Sequence, residues 1–125
     1  MDGFNSAPHI SRKFDVELSS IHDKIVAMGN LVEQQLSSAL QAFTTNNIDL
    51  AIEVLKQDDL VDEFEKVIDA ECISTIALHQ PTGCDLDLLV SVIKVTNELE
   101  SIAAKAEGIA DITIRLNQRT VDLRG

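Results

Sequence analysis

Tryptophan and tyrosine are absent from the chain, and phenylalanine occurs only four times in 125 residues. A β-sandwich would draw on aromatic and β-branched strands, so an interior left to Ala, Leu, Ile and Val points to closely packed helices. Two prolines and five glycines leave few breaks, hence long elements. Basic residues are scarce as well: ten Lys and Arg stand against 21 Asp and Glu, giving a net charge of −11 and a pI near 4.4. That balance argues against a nucleic-acid reader, which needs clustered Lys and Arg, and favours cations or basic protein surfaces as partners. No apolar run approaches the ~20 residues needed to cross a bilayer, and Met1 to His9 is too polar for a signal peptide. The expectation is a cytoplasmic protein without membrane insertion. Cys72 and Cys84 form no Cys-x-x-Cys and have no His at zinc-site spacing, so reduced, structurally neutral thiols are expected.

What is present is helical periodicity. With 45% apolar residues the chain can bury one core of ordinary size. Phe14, Leu18, Ile21, Ile25, Met28, Val32, Ala39 and Ala42 recur at steps of four and three, with Leu36, Leu40 and Phe43 widening the stripe, and Ser11 stands as a candidate N-cap. Thr44 to Asn47 is a turn cluster, with Asn47 able to cap a second helix from Ile48 to His79. Its inward face holds Leu50, Val54, Val61, Phe64, Ile68 and Ile76. Gln80-Pro81-Thr82-Gly83 ends it, and Asp85 is a candidate N-cap for a third helix. That helix carries a seam of Leu88, Val92, Val95, Leu99, Ile102, Ala106, Ile109 and Leu116. Short connections between long helices imply antiparallel neighbours. The expected architecture is all-α: a flexible arm over 1–9, an elongated antiparallel three-helix bundle over 10–116, and a tail or the start of a further repeat over 117–125.

Beside the seams run two rows of carboxylates. Asp58, Asp62, Glu65 and Asp69 lie at steps of four, three and four on the second helix, and Glu100, Glu107 and Asp111 form a similar row on the third, turned roughly 100° from its seam. Carboxylates four apart project from one face and can share a hard cation or iron. They can equally form a solvated acidic flank, the reading that spacing alone favours, since like charges four apart cost only a few tenths of a kcal/mol. A ferritin-like di-iron centre is disfavoured because no Asp or Glu has a His three residues later. His9, His22 and His79 lie far apart and read as satisfied surface or boundary residues. There is no Gly-rich phosphate loop, no Gly-x-Ser-x-Gly and no His paired with a nucleophile in a recognisable motif, so no enzyme is expected.

The run His9-Ile10-Ser11, then Met28-Gly29-Asn30-Leu31-Val32-Glu33-Gln34-Gln35-Leu36, Gln80-Pro81-Thr82, Asp85-Leu86 and Glu98-Leu99-Glu100-Ser101-Ile102 resembles the amino-terminal half of the PhoU family of bacterial phosphate-signalling regulators. The resemblance implies one of two tandem three-helix repeats. It also implies a regulator of phosphate uptake and of the phosphate-starvation response, acting through contacts with the ATPase subunit of the phosphate ABC transporter and with the sensor histidine kinase. Family members bind metal through an acid followed four residues later by Asp, which implies a site for iron, zinc or manganese. Asp58 and Asp62 match that motif on the second helix, and Glu100 matches its first acid on the third. Where the family reads Glu-Arg-Ile-Gly-Asp, the chain has Glu100-Ser101-Ile102-Ala103-Ala104, and Glu107, near the azimuth of Ala104, is the candidate substitute. A single repeat with an exposed seam is expected to form a homodimer or higher assembly. Alternatives from other classes are a carboxylate-based metal-binding bundle and a dimerisation module without signalling.

Overall fold

The computed structural model describes the backbone of residues 8–124 and the side chains of residues 12–119. Every regular element among them is an α-helix: α1 Pro8–Thr45, α2 Ile48–Lys56, α3 Asp58–His79 and α4 Gly83–Arg124. α2 and α3 form one leg broken only at Gln57, so the chain runs up, down and up as an all-α three-helix bundle. At 1.5 Å per residue, the 38 residues of α1 and 42 of α4 extend about 57 and 63 Å. Contacts of Glu17 with His79 and of Lys24 with Glu71 set α1 antiparallel to α3, and those of Thr96 with Asp69 and of Glu107 with Asp58 set α3 antiparallel to α4. α1 and α4 therefore run parallel.

Local chemistry explains most boundaries. Asn46, at φ 53°, ends α1 in the left-handed region that Asn tolerates, and the Asn47 side chain accepts the Leu50 N–H at 3.1 Å, the cap its sequence position predicts. Gln80, at φ 46°, closes α3 while its N–H returns to the Ile76 carbonyl, and Pro81 prevents continuation. Other boundaries differ from expectation. α1 starts at Pro8, inside the expected arm, because proline at a first helical position loses no hydrogen bond; Ser11 is thus within the helix, and residues 1–7 lie outside the described residues. α4 starts at Gly83, placing Asp85 in the first turn, where the helix dipole favours a carboxylate, and not at the N-cap. It continues to Arg124 through the stretch expected as a tail, which contains no proline or glycine before Gly125.

The core has two parts. Phe14, Ile21, Met28, Val32, Val61, Ile68, Cys72, Leu89 and Ala103 pack at one end, and Ala39, Ala42, Ala51, Val54, Ala106 and Ala110 at the other. The α1 and α2–α3 stripes are therefore those their periodicity predicts, except that Leu40 and Phe43, expected to widen the α1 stripe, are each 48% exposed. The α4 seam is met in half of its positions: Val92, Leu99, Ala106 and Ile109 pack into the core as expected. Leu88, Val95 and Leu116 are about half exposed and Ile102 36% exposed, and their places are taken by Leu89, Thr96, Ala103, Ala110 and Thr113, which face inward. The inward face is thus rotated from the expected seam by less than one residue's step of about 100°. Alanines let the helices approach closely at the second end. The threonines are tolerated because their hydroxyls bond their own helix: Thr113 donates to the Ile109 carbonyl at 2.9 Å, and Thr96 lies 2.7 Å from that of Ile93.

Both cysteines are free, Cys72 buried and Cys84 exposed. Burial, reinforced by Asp69 and Glu71, pushes the Cys72 thiol up to about 11, so it behaves as a small apolar residue. Gln35 is the costly member of the interior. It is fully buried in α1, and neither its amide oxygen nor its nitrogen has a partner among the described residues. Replacing it with methionine keeps the volume and removes the unpaired amide, so Gln35→Met is expected to stabilise the bundle by about 1–2 kcal/mol in urea unfolding. A loss of stability would mean that the amide is engaged.

Candidate metal centre

The break at Gln57 shapes the first turn of α3. Gln57 adopts φ −83° and ψ −4°, offers no side-chain cap, and leaves the α2 ladder before α3 begins at Asp58. Asp58 and Asp59 therefore sit at a helix N-terminus, where unsatisfied N–H groups and the dipole favour negative charge. Carboxylate oxygens of Asp58, Asp59 and Asp62 lie within 4.8 Å of one another. Asp58 and Asp62 are half-buried against α4, and Asp59 is exposed.

α4 supplies the facing acids. Glu100 hydrogen-bonds Asp62, and Glu107 hydrogen-bonds Asp58. Two carboxylates make such a bond only while one of them carries a proton. Burial first, then the bond to Asp62 and the charges of Glu65, Asp62 and Asp58, push the Glu100 carboxyl up to about 7. Burial first, then the bond to Asp58 and the charges of Asp58, Asp62 and Glu100, do the same for Glu107, also to about 7. Glu65, one turn along α3, is raised by burial, Asp69 and Asp62 against a lowering by Lys66.

All four residues expected as ligands, Asp58, Asp62, Glu100 and Glu107, thus converge on one groove between α3 and α4. Ala104 is exposed, and Glu107, three residues on, reaches Asp58. The outer members of both rows go elsewhere. Asp69 accepts from Thr96 at 3.1 Å, and Asp111 pairs with Arg115 at 2.5 Å. Asp59 was missing from the sequence expectation because it breaks the four-residue rhythm; its adjacency to Asp58 at the start of a helix was the available signal. The histidines stand apart. His22 is exposed beside Asp23, while His79 bonds Glu17 at 3.1 Å and sets its ring edge against Phe14, a satisfied boundary residue.

The donor set is entirely carboxylate oxygen, which suits hard cations and iron; zinc prefers nitrogen and sulfur. The residues present therefore fit a cation of the first kind.

A family model for the PhoU domain matches residues 25–113, which span the second half of α1, all of α2 and α3, and the α4 segment carrying both glutamates. The chain belongs to the PhoU family. It is 40% identical over 109 residues to the "Phosphate-specific transport system accessory protein PhoU" of Serratia marcescens, covering 87% of this chain and 45% of that protein. It is 42% identical over 109 residues to the protein of the same description from Escherichia coli (strain K12), with the same coverage. The crystal structure of PhoU from Pseudomonas aeruginosa superposes with a TM-score of 0.83 at 35% identity, over 85% of this chain and 51% of that one. The chain thus spans about half the length of the PhoU proteins it matches, and the three-helix bundle is the fold of that matched half. Among the described residues no helix is long and apolar enough to cross a membrane.

Proposed function

We propose that the chain is a non-enzymatic, cytoplasmic regulator of phosphate uptake and of the phosphate-starvation response. It works through protein contacts with the ATPase subunit of the phosphate ABC transporter and with the phosphate sensor histidine kinase. Support comes from family membership and from relatives described as accessory proteins of phosphate-specific transport. A surface with net charge −11 suits contacts with basic protein faces and gives nucleic acid no purchase.

Within that role, Asp58, Asp62, Glu100 and Glu107 are the residues that would hold a metal ion. Iron or manganese accords with the all-oxygen donors better than zinc. The observation that carries this reading is the pairing of Asp62 with Glu100 and of Asp58 with Glu107 across two helices. A bound cation supplies neutralisation of the carboxylates. The protein's part is to present two acids from the first turns of α3 and two from the middle of α4, so occupancy joins the helices and removes the shared protons.

The test is manganese titration of metal-free protein at about pH 7. Saturating metal at a hundredfold excess over the dissociation constant is expected to stabilise the bundle by about 2.7 kcal/mol, with protons released on binding. Asp58→Asn with Asp62→Asn should abolish both responses. Unchanged stability and no proton release in the native chain would leave the acidic groove as a solvated flank. Co-precipitation with the ATPase subunit and the kinase tests the regulatory contacts separately. Metal uptake without any such contact would favour the second reading, a carboxylate-based metal-binding bundle, and neither would favour a dimerisation module.

A further inference from the structure

The two parts of the core differ in the size of their side chains, and they separate at a polar layer. One holds the fully buried Ile21, Met28, Ile68 and Leu89; five of the six buried residues of the other are alanines, and Val54 is its largest side chain. On α1, Gln35 stands between Val32 of the first part and Ala39 of the second. On the facing leg, Gln57 stands between Val61 of the first and Val54 of the second. Gln35 is fully buried with neither amide atom partnered, and the Gln57 Oε1 is buried and unpartnered too, among the described residues. The backbone breaks at the same layer. The Gln57 N–H turns back to the Val54 carbonyl at 3.2 Å, closing α2, and the Gln57 carbonyl accepts from Leu60 at 3.1 Å, opening α3. At its other end α2 joins α1 through Asn46, whose φ is 53°, and the capping Asn47.

We infer that α2 is a hinged strap, which swings away from α1 and α4 about Gln57 and the Asn46–Asn47 turn while the rest of the bundle stays folded. A helix of 9 residues does not persist by itself in water, so α2 is held by what it buries. Only Ala51 and Val54 are fully buried, with Leu50 and Leu55 partly so. Hydrophobic attachment follows the apolar area withdrawn from water, and an alanine withdraws a single methyl group. Ile68 of α3 is held by the much larger side chains of the first core part. The unpartnered amides weaken the join between the two parts, since a buried amide without a partner favours any opening that lets water reach it. Opening at this layer hydrates Gln57 and leaves the packing of Met28, Ile68 and Leu89 intact. A segment so attached opens at less than the full free energy of unfolding. Its position gives the opening a consequence. Asp58 follows the hinge residue, so movement of the strap reaches the Asp58–Glu107 pair first and leaves Asp62–Glu100, one turn along α3, in place. The strap therefore acts on one end of the carboxylate groove, whether or not a cation is bound there.

Native-state hydrogen exchange of the full chain in chelator, read residue by residue at urea concentrations below the unfolding transition, tests the strap. After correction for intrinsic rates, the amides of Val54, Leu55 and Lys56 are expected to exchange at least about 30-fold faster than those of Ile68 and Cys72, and with little dependence on urea, because the opening exposes little surface. Val54→Ala removes the largest side chain that the strap buries, and should quicken exchange in α2 by roughly a further tenfold while leaving Ile68 and Cys72 unchanged. Gln57→Leu replaces the unpartnered amide with an apolar side chain of similar size and should slow α2 exchange by roughly tenfold. Equal protection and equal urea dependence in α2 and α3 overturn the inference. So does a Val54→Ala chain that loses protection equally in both helices or fails to fold, since a strap that opens alone is not needed by the rest of the bundle. A Gln57→Leu chain whose α2 exchanges as fast as before places the hinge elsewhere and overturns it as well. None of these results depends on the metal titration or the co-precipitation.

Discussion

Raising the pH of the metal-free protein from about 5 to about 8 is expected to destabilise it by roughly 2–4 kcal/mol. Glu100 and Glu107 keep a proton to about 7 in the folded bundle, whereas the ordinary carboxyl value of 4.5 applies once the chain unfolds. Between those values the folded state binds more protons than the unfolded state, so stability falls as pH rises. The contribution is present in full below 4.5 and lost as pH passes through about 7. Each unit of pKa difference corresponds to 1.36 kcal/mol, but both groups retain contact with water, which screens the effect and sets the lower range given. Urea unfolding at several pH values in chelator checks it. Glu100→Gln with Glu107→Gln keeps a neutral hydrogen-bonding group at each position and should flatten the profile. A native protein as stable at pH 8 as at pH 5 would mean that Asp62–Glu100 and Asp58–Glu107 do not hold shared protons. Added manganese should restore stability most at the alkaline end, where the carboxylates are free of protons and most in need of a counter-charge.

Ile68→Ala should cost about 2–5 kcal/mol and lower the melting temperature by on the order of 10–15 °C. Ile68 is fully buried in α3 and belongs to the core that includes Met28 of α1 and Leu89 of α4. Truncation removes three carbons from a close-packed site, and long helices anchored on both sides of the gap cannot collapse into it. Ile73, five residues further along the same helix and so on another face, is 60% exposed, and its replacement by alanine is expected to change stability by less than about 0.5 kcal/mol. Equal losses at the two positions would mean that α3 is rotated from the orientation described. Because α3 also carries Asp58 and Asp62, Ile68→Ala should weaken cation stabilisation only as far as it loosens the register of α3 against α4.

The candidate site shows how far local pattern reaches. Asp58 and Asp62 are one helical turn apart, so any helix through them puts both acids on one face, and Glu100 and Glu107 share a face for the same reason. That the two faces meet is a matter of register. It is set by the packing of Ile68, Val61 and Ala103, residues distant in sequence. The upward push on Glu100 and Glu107 depends on that meeting, since it comes from burial and from acids on α3.

The sequence by itself determined that the chain is helical, where its turns fall and which stripes of α1 and α3 turn inward. Those outcomes follow from scarce aromatics, proline and glycine, from the capping of α2 by Asn47 and the αL closure at Gln80, and from large apolar side chains at helical spacing. The tertiary structure alone decided the face of α4. Its largest aliphatic residues, Leu88, Val95 and Ile102, form one stripe, and a smaller one, Leu89, Thr96 and Ala103, lies beside it. The smaller stripe is buried because small side chains let α4 approach α1 and α3 closely and the Thr96 hydroxyl can bond its own backbone. The larger stripe is left on the surface, a result that hydrophobicity ranked residue by residue does not foresee. The burial of Gln35 with its amide unpaired was likewise settled only when three helices closed around one another, because it depends on neighbours remote in the chain.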